Sequence, residues 1–161
     1  MLWENINESL VFNHLSVSNS DEVFDALGGN LEKLGYCKNT YVQALKDRER
    51  SFPTGIQLPE IGIAIPHTDP EHVNKSAISI ATLENPVRYF HMGTSPGDGA
   101  EVQVKLIIML AIAGTGHLDI LQKAIQLIQD QEAVSCILEA KTARDVINII
   151  QAKEESENEN N

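Results

Sequence analysis

Val104-Lys105-Leu106-Ile107-Ile108-Met109-Leu110-Ala111-Ile112 is a near-continuous apolar run carrying a single charge. A strand with one wet face alternates apolar and polar residues, whereas a strand covered on both faces does not. The stretch therefore predicts a central strand over 102–112, with helices packed on either side. Upstream, Ser76-Ala77-Ile78-Ser79-Ile80-Ala81-Thr82-Leu83 predicts a second strand over 76–83. Its small residues alternate with large ones, as in a sheet with unequal faces. Gly62-Ile63-Ala64-Ile65-Pro66 ends a third strand, over 61–66, and residues 9–17 form a short fourth one.

Helical spacing fills the gaps between these strands. Asn19 caps a helix, with Glu22 three residues on as in a capping box. Val23, Phe24, Leu27, Leu31 and Leu34 form its inner face, and Gly35 stops it. Gly28-Gly29 inside it costs about 1 kcal/mol per glycine against alanine, so close packing compensates or the helix bends. A second helix runs from Thr40 to Arg50 with Val42 and Leu45 inward, and Ser51 to Gly55 breaks it. Gly93 to Gly99 reads as a loop. Leu118, Leu121, Ile125 and Ile128 mark a helix after Gly114-Thr115-Gly116. A shorter helix covers Glu132 to Leu138, and Thr142 caps a last one carrying Val146, Ile149 and Ile150. The fold class expected is α/β, a single mixed β-sheet flanked by helices on both faces. One domain is expected over residues 1–152, followed by an acidic, disordered tail over 153–161.

The chain has 161 residues, enough for one full core. Its net charge of −11 argues against nucleic acid, which requires a basic footprint, and permits a basic protein partner. The longest apolar stretch, Leu106 to Ala113, is too short to span a bilayer, so no direct membrane insertion is expected. The N-terminus lacks the basic flank and apolar core of a signal peptide, and Cys37 and Cys136 read as small core residues. A cytoplasmic protein is expected.

Two histidines stand apart from the other three. His67 follows Ile65-Pro66 at a strand end, where proline stiffens the backbone that presents it. Its imidazole can be a neutral nucleophile near pH 7. His117 follows Gly114-Thr115-Gly116 at a helix start, directly after the most buried strand. Open α/β sheets bind ligands at such strand ends, and a helix N-terminus there favours an anion. His14, His72 and His91 carry no comparable signal. Arg48 and Arg50 lie in the last turn of the second helix, where cations answer the helix dipole and a guanidinium fork also matches phosphoryl oxygens. His67, Asp69 and His72 have a metal-like spacing, but Pro66 and Pro70 bracket them, so they do not share one helix face. No Gly-x-Ser-x-Gly elbow supports a serine hydrolase.

Arg48-Glu49, Phe52-Pro53-Thr54-Gly55-Ile56 and Gly62-Ile63-Ala64-Ile65-Pro66-His67 together resemble the type-2 IIA domains of the bacterial phosphoenolpyruvate-dependent sugar phosphotransferase system. The likeness extends through Val104–Ile112, His117 and the helical C-terminus. It implies that His67 accepts a phosphoryl group from the phosphocarrier HPr and passes it to a cysteine of a IIB component, which serves a membrane IIC permease. It also implies that His117 is the second active-site histidine and Arg48 the arginine facing the phosphate, with neither cofactor nor metal. Many members have glycine after the active histidine, where this chain has Thr68. With Phe52-Pro53-Thr54-Gly55, that change makes the chain look like the galactitol class. The alternative is a regulatory protein of the nitrogen type, acting through phosphorylation-dependent protein interaction.

Overall fold

The computed structural model describes residues 1–94 and 99–159. Five strands form one mixed sheet: β1 (Val11–Leu15), β2 (Gly55–Gln57), β3 (Gly62–Ala64), β4 (Ala77–Phe90) and β5 (Glu101–Ala111). Their spatial order is β1-β4-β5-β3-β2. Strand β1 runs parallel to β4 and β3 parallel to β5, while β4 with β5 and β2 with β3 are antiparallel. The expected mixed α/β sheet is present, with β5 inside it.

From Leu106 onward, past a register shift that leaves Val104 on the other face, alternation along β5 sorts its side chains between two cores. Leu106, Ile108 and Leu110 pack with Ile63, Ile65, Ile78 and Ile80 beneath the C-terminal helices. Val104, Ile107, Met109 and Ala111 pack with Ala64, Ala77 and Ala81 beneath the N-terminal helices. The small residues of β4 thus lie on the face where the first two helices press close. Each fully buried leucine or isoleucine contributes about 1.5–3 kcal/mol, so the doubly covered strand is the largest single source of cohesion.

Helix α1 is built of three consecutive pieces: Ser20–Val23, the π-helical Phe24–Gly28, and Gly29–Lys33. Asn19 caps it by accepting the Glu22 N–H at 2.9 Å, and Glu22 reaches back to the Ser18 N–H. The helix widens at a π-turn, and Gly28 lies against α2 (Tyr41–Ser51), where an added Cβ would meet Val42 at 3.0 Å. Leu31, beyond the π-turn, is buried as expected, whereas Leu34, expected inward, caps the end of α1 and is exposed.

Helix α3 spans His117–Ile128, α4 Gln131–Glu139 and α5 Ala143–Glu159. Leu118, expected on the apolar face, is exposed on the first turn of α3, and Cys136, expected in the core, is exposed on α4. Strand β4 runs seven residues beyond its expected end at Leu83, across a register shift between Thr82 and Val87 that absorbs Pro86. Of the expected Gly93–Gly99 loop, residues 95–98 lie outside the described residues.

The tail expected to be disordered from 153 is instead helical through Glu159, so the expected boundary at 152 falls inside α5. The cause is specific pairing. Glu154 is buried and accepts the Leu2 and Trp3 N–H groups, each at 2.9 Å. Lys153 bridges Asp130 at 2.9 Å and Glu157 at 2.6 Å. A residue pattern that is merely acidic in sequence becomes a clasp on the N-terminal segment.

Candidate active site

The backbone after β3 stays tied to the centre of the sheet. Leu110 donates its N–H to the Pro66 carbonyl at 2.9 Å, and His67 forms a parallel bridge with Leu110. Proline gives up its donor here at no loss, since its carbonyl makes the contact. The Leu110 carbonyl in turn accepts the Tyr41 hydroxyl at 2.9 Å, which anchors the first turn of α2 to the same residue of β5. Arg48, seven residues further along α2, lies on the same side of the helix as Tyr41. One residue of the central strand therefore helps to locate both His67 and the helix that carries Arg48. Close approach of β3 to β5 needs Gly62, where an added Cβ would collide with the Gln103 carbonyl oxygen.

His67 is buried, and its Nδ1 lies 2.8 Å from the Ile65 carbonyl oxygen. A carbonyl only accepts, so Nδ1 carries the proton and Nε2 keeps its lone pair. Burial pushes the His67 pKa below its ordinary value, and the Arg48 and His117 charges push it the same way. The imidazole is thus neutral and in one tautomer, as a nitrogen nucleophile must be.

His117 begins α3, and its ring centroid lies 5.0 Å from that of His67 with the planes at 58°. Its Nδ1 is buried without a hydrogen-bond partner, and so is Arg48 Nε. Burying a polar atom unpaired costs about 1–3 kcal/mol, so two such atoms beside a nucleophile mark a place where a ligand would supply partners. Arg48 is braced by Phe52, whose ring centroid lies 5.2 Å from its guanidinium carbon. The crevice holding His67 has a volume of about 490 Å³ and is lined by Arg48, Pro53, Thr54, Met92 and Leu121 among others. A second groove of about 610 Å³, between α2 and the Thr68–His72 segment, shares Arg48 and Phe52 with it.

The structure therefore brings Arg48, His67 and His117 together and leaves Arg50 outside, exposed and paired with Asp47 at 3.2 Å. His14 lies on the edge strand β1 with a φ of 55°. His72 pairs with Thr40 at 2.8 Å, and His91 Nδ1 lies 2.9 Å from the Met92 carbonyl oxygen. Among the described residues, no three His, Cys, Asp or Glu side chains converge as metal ligands. Sequence reasoning passed over Glu49, which accepts the Thr54 N–H at 2.7 Å and the Thr54 hydroxyl at 2.6 Å. Burial pushes the Glu49 carboxyl up to about 7, against the lowering effect of those two bonds and of Arg48. In sequence it stood only as the residue after Arg48 in the motif that carries the family resemblance, with no role attached to it.

A family model described as "Phosphoenolpyruvate-dependent sugar phosphotransferase system, EIIA 2" matches residues 4–153. The galactitol-specific EIIA component of the phosphotransferase system of Escherichia coli (strain K12) is 35% identical over 98 residues, 61% of this chain and 63% of the relative. The match thus spans less than two thirds of that relative's length. The mannitol-specific phosphotransferase enzyme IIA component of Staphylococcus aureus (strain N315) is 31% identical over 137 residues, covering 84% of this chain and 88% of the relative. Among solved structures, the complex of enzyme IIAMTL and phosphorylated enzyme IIBMTL from Escherichia coli superposes with a TM-score of 0.73 at 22% identity, covering 91% of this chain and 96% of the other. That likeness is one of fold.

Proposed function

Since the chain belongs to the EIIA 2 family of the phosphoenolpyruvate-dependent sugar phosphotransferase system, we propose that it is a phosphocarrier that takes a phosphoryl group on His67 and hands it on. The observation that carries this reading is the neutral His67, protonated at Nδ1, beside the unpartnered Arg48 Nε and His117 Nδ1. The Nε2 lone pair attacks phosphorus, an N–P bond forms, and the bond to the donor nitrogen breaks with its electron pair returning to the donor. Phosphoryl transfer asks for positioning and charge stabilisation more than covalent help. Arg48 supplies a fixed positive charge towards the equatorial oxygens, and His117 a second contact on them. The second transfer reverses this geometry: a nucleophile attacks the phosphoryl group and Nε2 leaves.

The donor in this reading is phosphorylated HPr and the acceptor a cysteine of a IIB component. The exposed Phe52 lines the crevice and, with the exposed Leu118 that follows His117, offers a docking partner an apolar hold. The chain's charge of −11 favours a basic partner. The galactitol- and mannitol-specific relatives support a polyol as the substrate class served by the relay, which in this reading works in the cytoplasm. Purified protein incubated with phosphoenolpyruvate, enzyme I and HPr in the presence of a chelator should become labelled on His67. An unlabelled protein, or a label mapped to another histidine, would overturn the reading.

A further inference from the structure

We propose that Glu49 is a positioning residue for phosphoryl transfer, holding the His67 imidazole in place through Thr54 and Ile65. The functional half of this inference rests on the phosphotransfer reading above. The links are consecutive. Glu49 accepts both the N–H and the hydroxyl of Thr54, at 2.7 and 2.6 Å. The Thr54 carbonyl accepts the Ile65 N–H at 3.1 Å. The Ile65 carbonyl accepts the His67 Nδ1–H at 2.8 Å. Thr54, Ile65 and His67 are all buried, so water does not compete for these bonds. Each link enters and leaves a residue by different peptide groups, so the chain transmits position and not a proton.

The placement of Glu49 is unfavourable by local criteria. It lies in the last turn of α2, the negative end of a helix dipole, where a carboxylate is disfavoured. It is also largely desolvated, and burial pushes its carboxyl up to about 7. The two bonds to Thr54 offset these costs. They also close the turn from α2 into β2, and that turn carries Thr54 into the wall of the His67 crevice. Arg48, the preceding residue on α2, faces the same crevice, so one helix end sets both the charge and the backbone that orients the nucleophile. A carboxylate that merely caps the turn would matter for stability alone; one that positions His67 must also affect the imidazole.

The test uses nitrogen-15 labelled full-length protein and reads the His67 tautomer by long-range proton–nitrogen correlation, alongside transfer from phosphorylated HPr. Glu49→Ala should raise the Nε2–H population of His67 and lower the maximal transfer rate by roughly ten- to a hundredfold, with little change in KM for the donor. Glu49→Gln should restore most of the rate and the wild-type tautomer, because an amide accepts the Thr54 N–H through oxygen and donates to its hydroxyl. Should Glu49→Ala not fold, Thr54→Val removes the hydroxyl link alone and should produce a smaller effect in the same direction. A folded Glu49→Ala, or Thr54→Val in its stead, with the wild-type tautomer and rate overturns the proposal. A wild-type protein that takes no phosphate while Glu49→Ala shifts the tautomer overturns the phosphotransfer reading and leaves the hold on the imidazole standing.

Discussion

His67→Ala removes the imidazole whose tautomer is fixed by the Ile65 carbonyl and which opens into the crevice, so this variant should fold yet accept no phosphoryl group from phosphorylated HPr. Arg48→Ala should slow transfer roughly a hundredfold, the loss of about 3 kcal/mol of charge stabilisation, while Arg50→Ala should leave the rate near wild type. Comparing single-turnover rates of the two variants checks the assignment. The lowered pKa of His67 predicts that acceptance stays flat as pH falls to the ordinary histidine value of 6.5 and declines only below it. Glu49 has the opposite signature in stability. Its carboxyl is raised from 4.5 to about 7, so in that window the folded state holds more protons than the unfolded one. Stability therefore falls as pH rises through the window, by on the order of 2–3 kcal/mol. Glu49→Gln should flatten that fall in urea titrations taken from pH 5 to 7.5. His67 and His117 were singled out in sequence by strand-end and helix-start signals, whereas Arg48 shared its helix-end signal with Arg50 and was picked out by the family resemblance. Glu49 was not, because a glutamate in a helix reads as solvated surface until the fold closes Thr54 over it.

At the scale of elements, Gly28 and Gly29 are neighbours with different roles. Nothing lies within 4 Å of a Cβ built on Gly29, so Gly29→Ala should stabilise the protein by up to about 1 kcal/mol. At Gly28 the added methyl group would press on Val42 at 3.0 Å and Leu45 at 3.3 Å, so Gly28→Ala should be clearly less stable than Gly29→Ala. Thermal melts of the pair check this. Because α2 carries Arg48, Gly28→Ala should also slow transfer, whereas Gly29→Ala should not. Strand and helix periodicities revealed most elements, since each buries one face or two. Two pieces escaped. The three-residue β2 is too short to establish a period, and the extension of β4 passes through Glu84-Asn85-Pro86, which reads as a turn until β5 pairs beyond the bulge.

Taken whole, the molecule is a sheet whose two faces are covered by successive halves of the chain, and that layering was legible from β5 alone. The end of α5 was not, because the pattern of charges in residues 153–159 gives no hint of the backbone N–H groups that Glu154 accepts. Glu154→Ala should cost about 1–3 kcal/mol, measurable by denaturant unfolding, since it strands a buried donor at Leu2. Ending the chain at 152 should cost more, because it also removes Lys153 and its bridge to Asp130. The same clasp has a topological consequence. With Glu154 bound to Leu2 and Trp3, and Asn158 3.7 Å from Met1, the first and last described turns are neighbours on one side of the molecule. A short peptide joining them would close the polypeptide into a ring, and new termini could then be opened at an exposed loop.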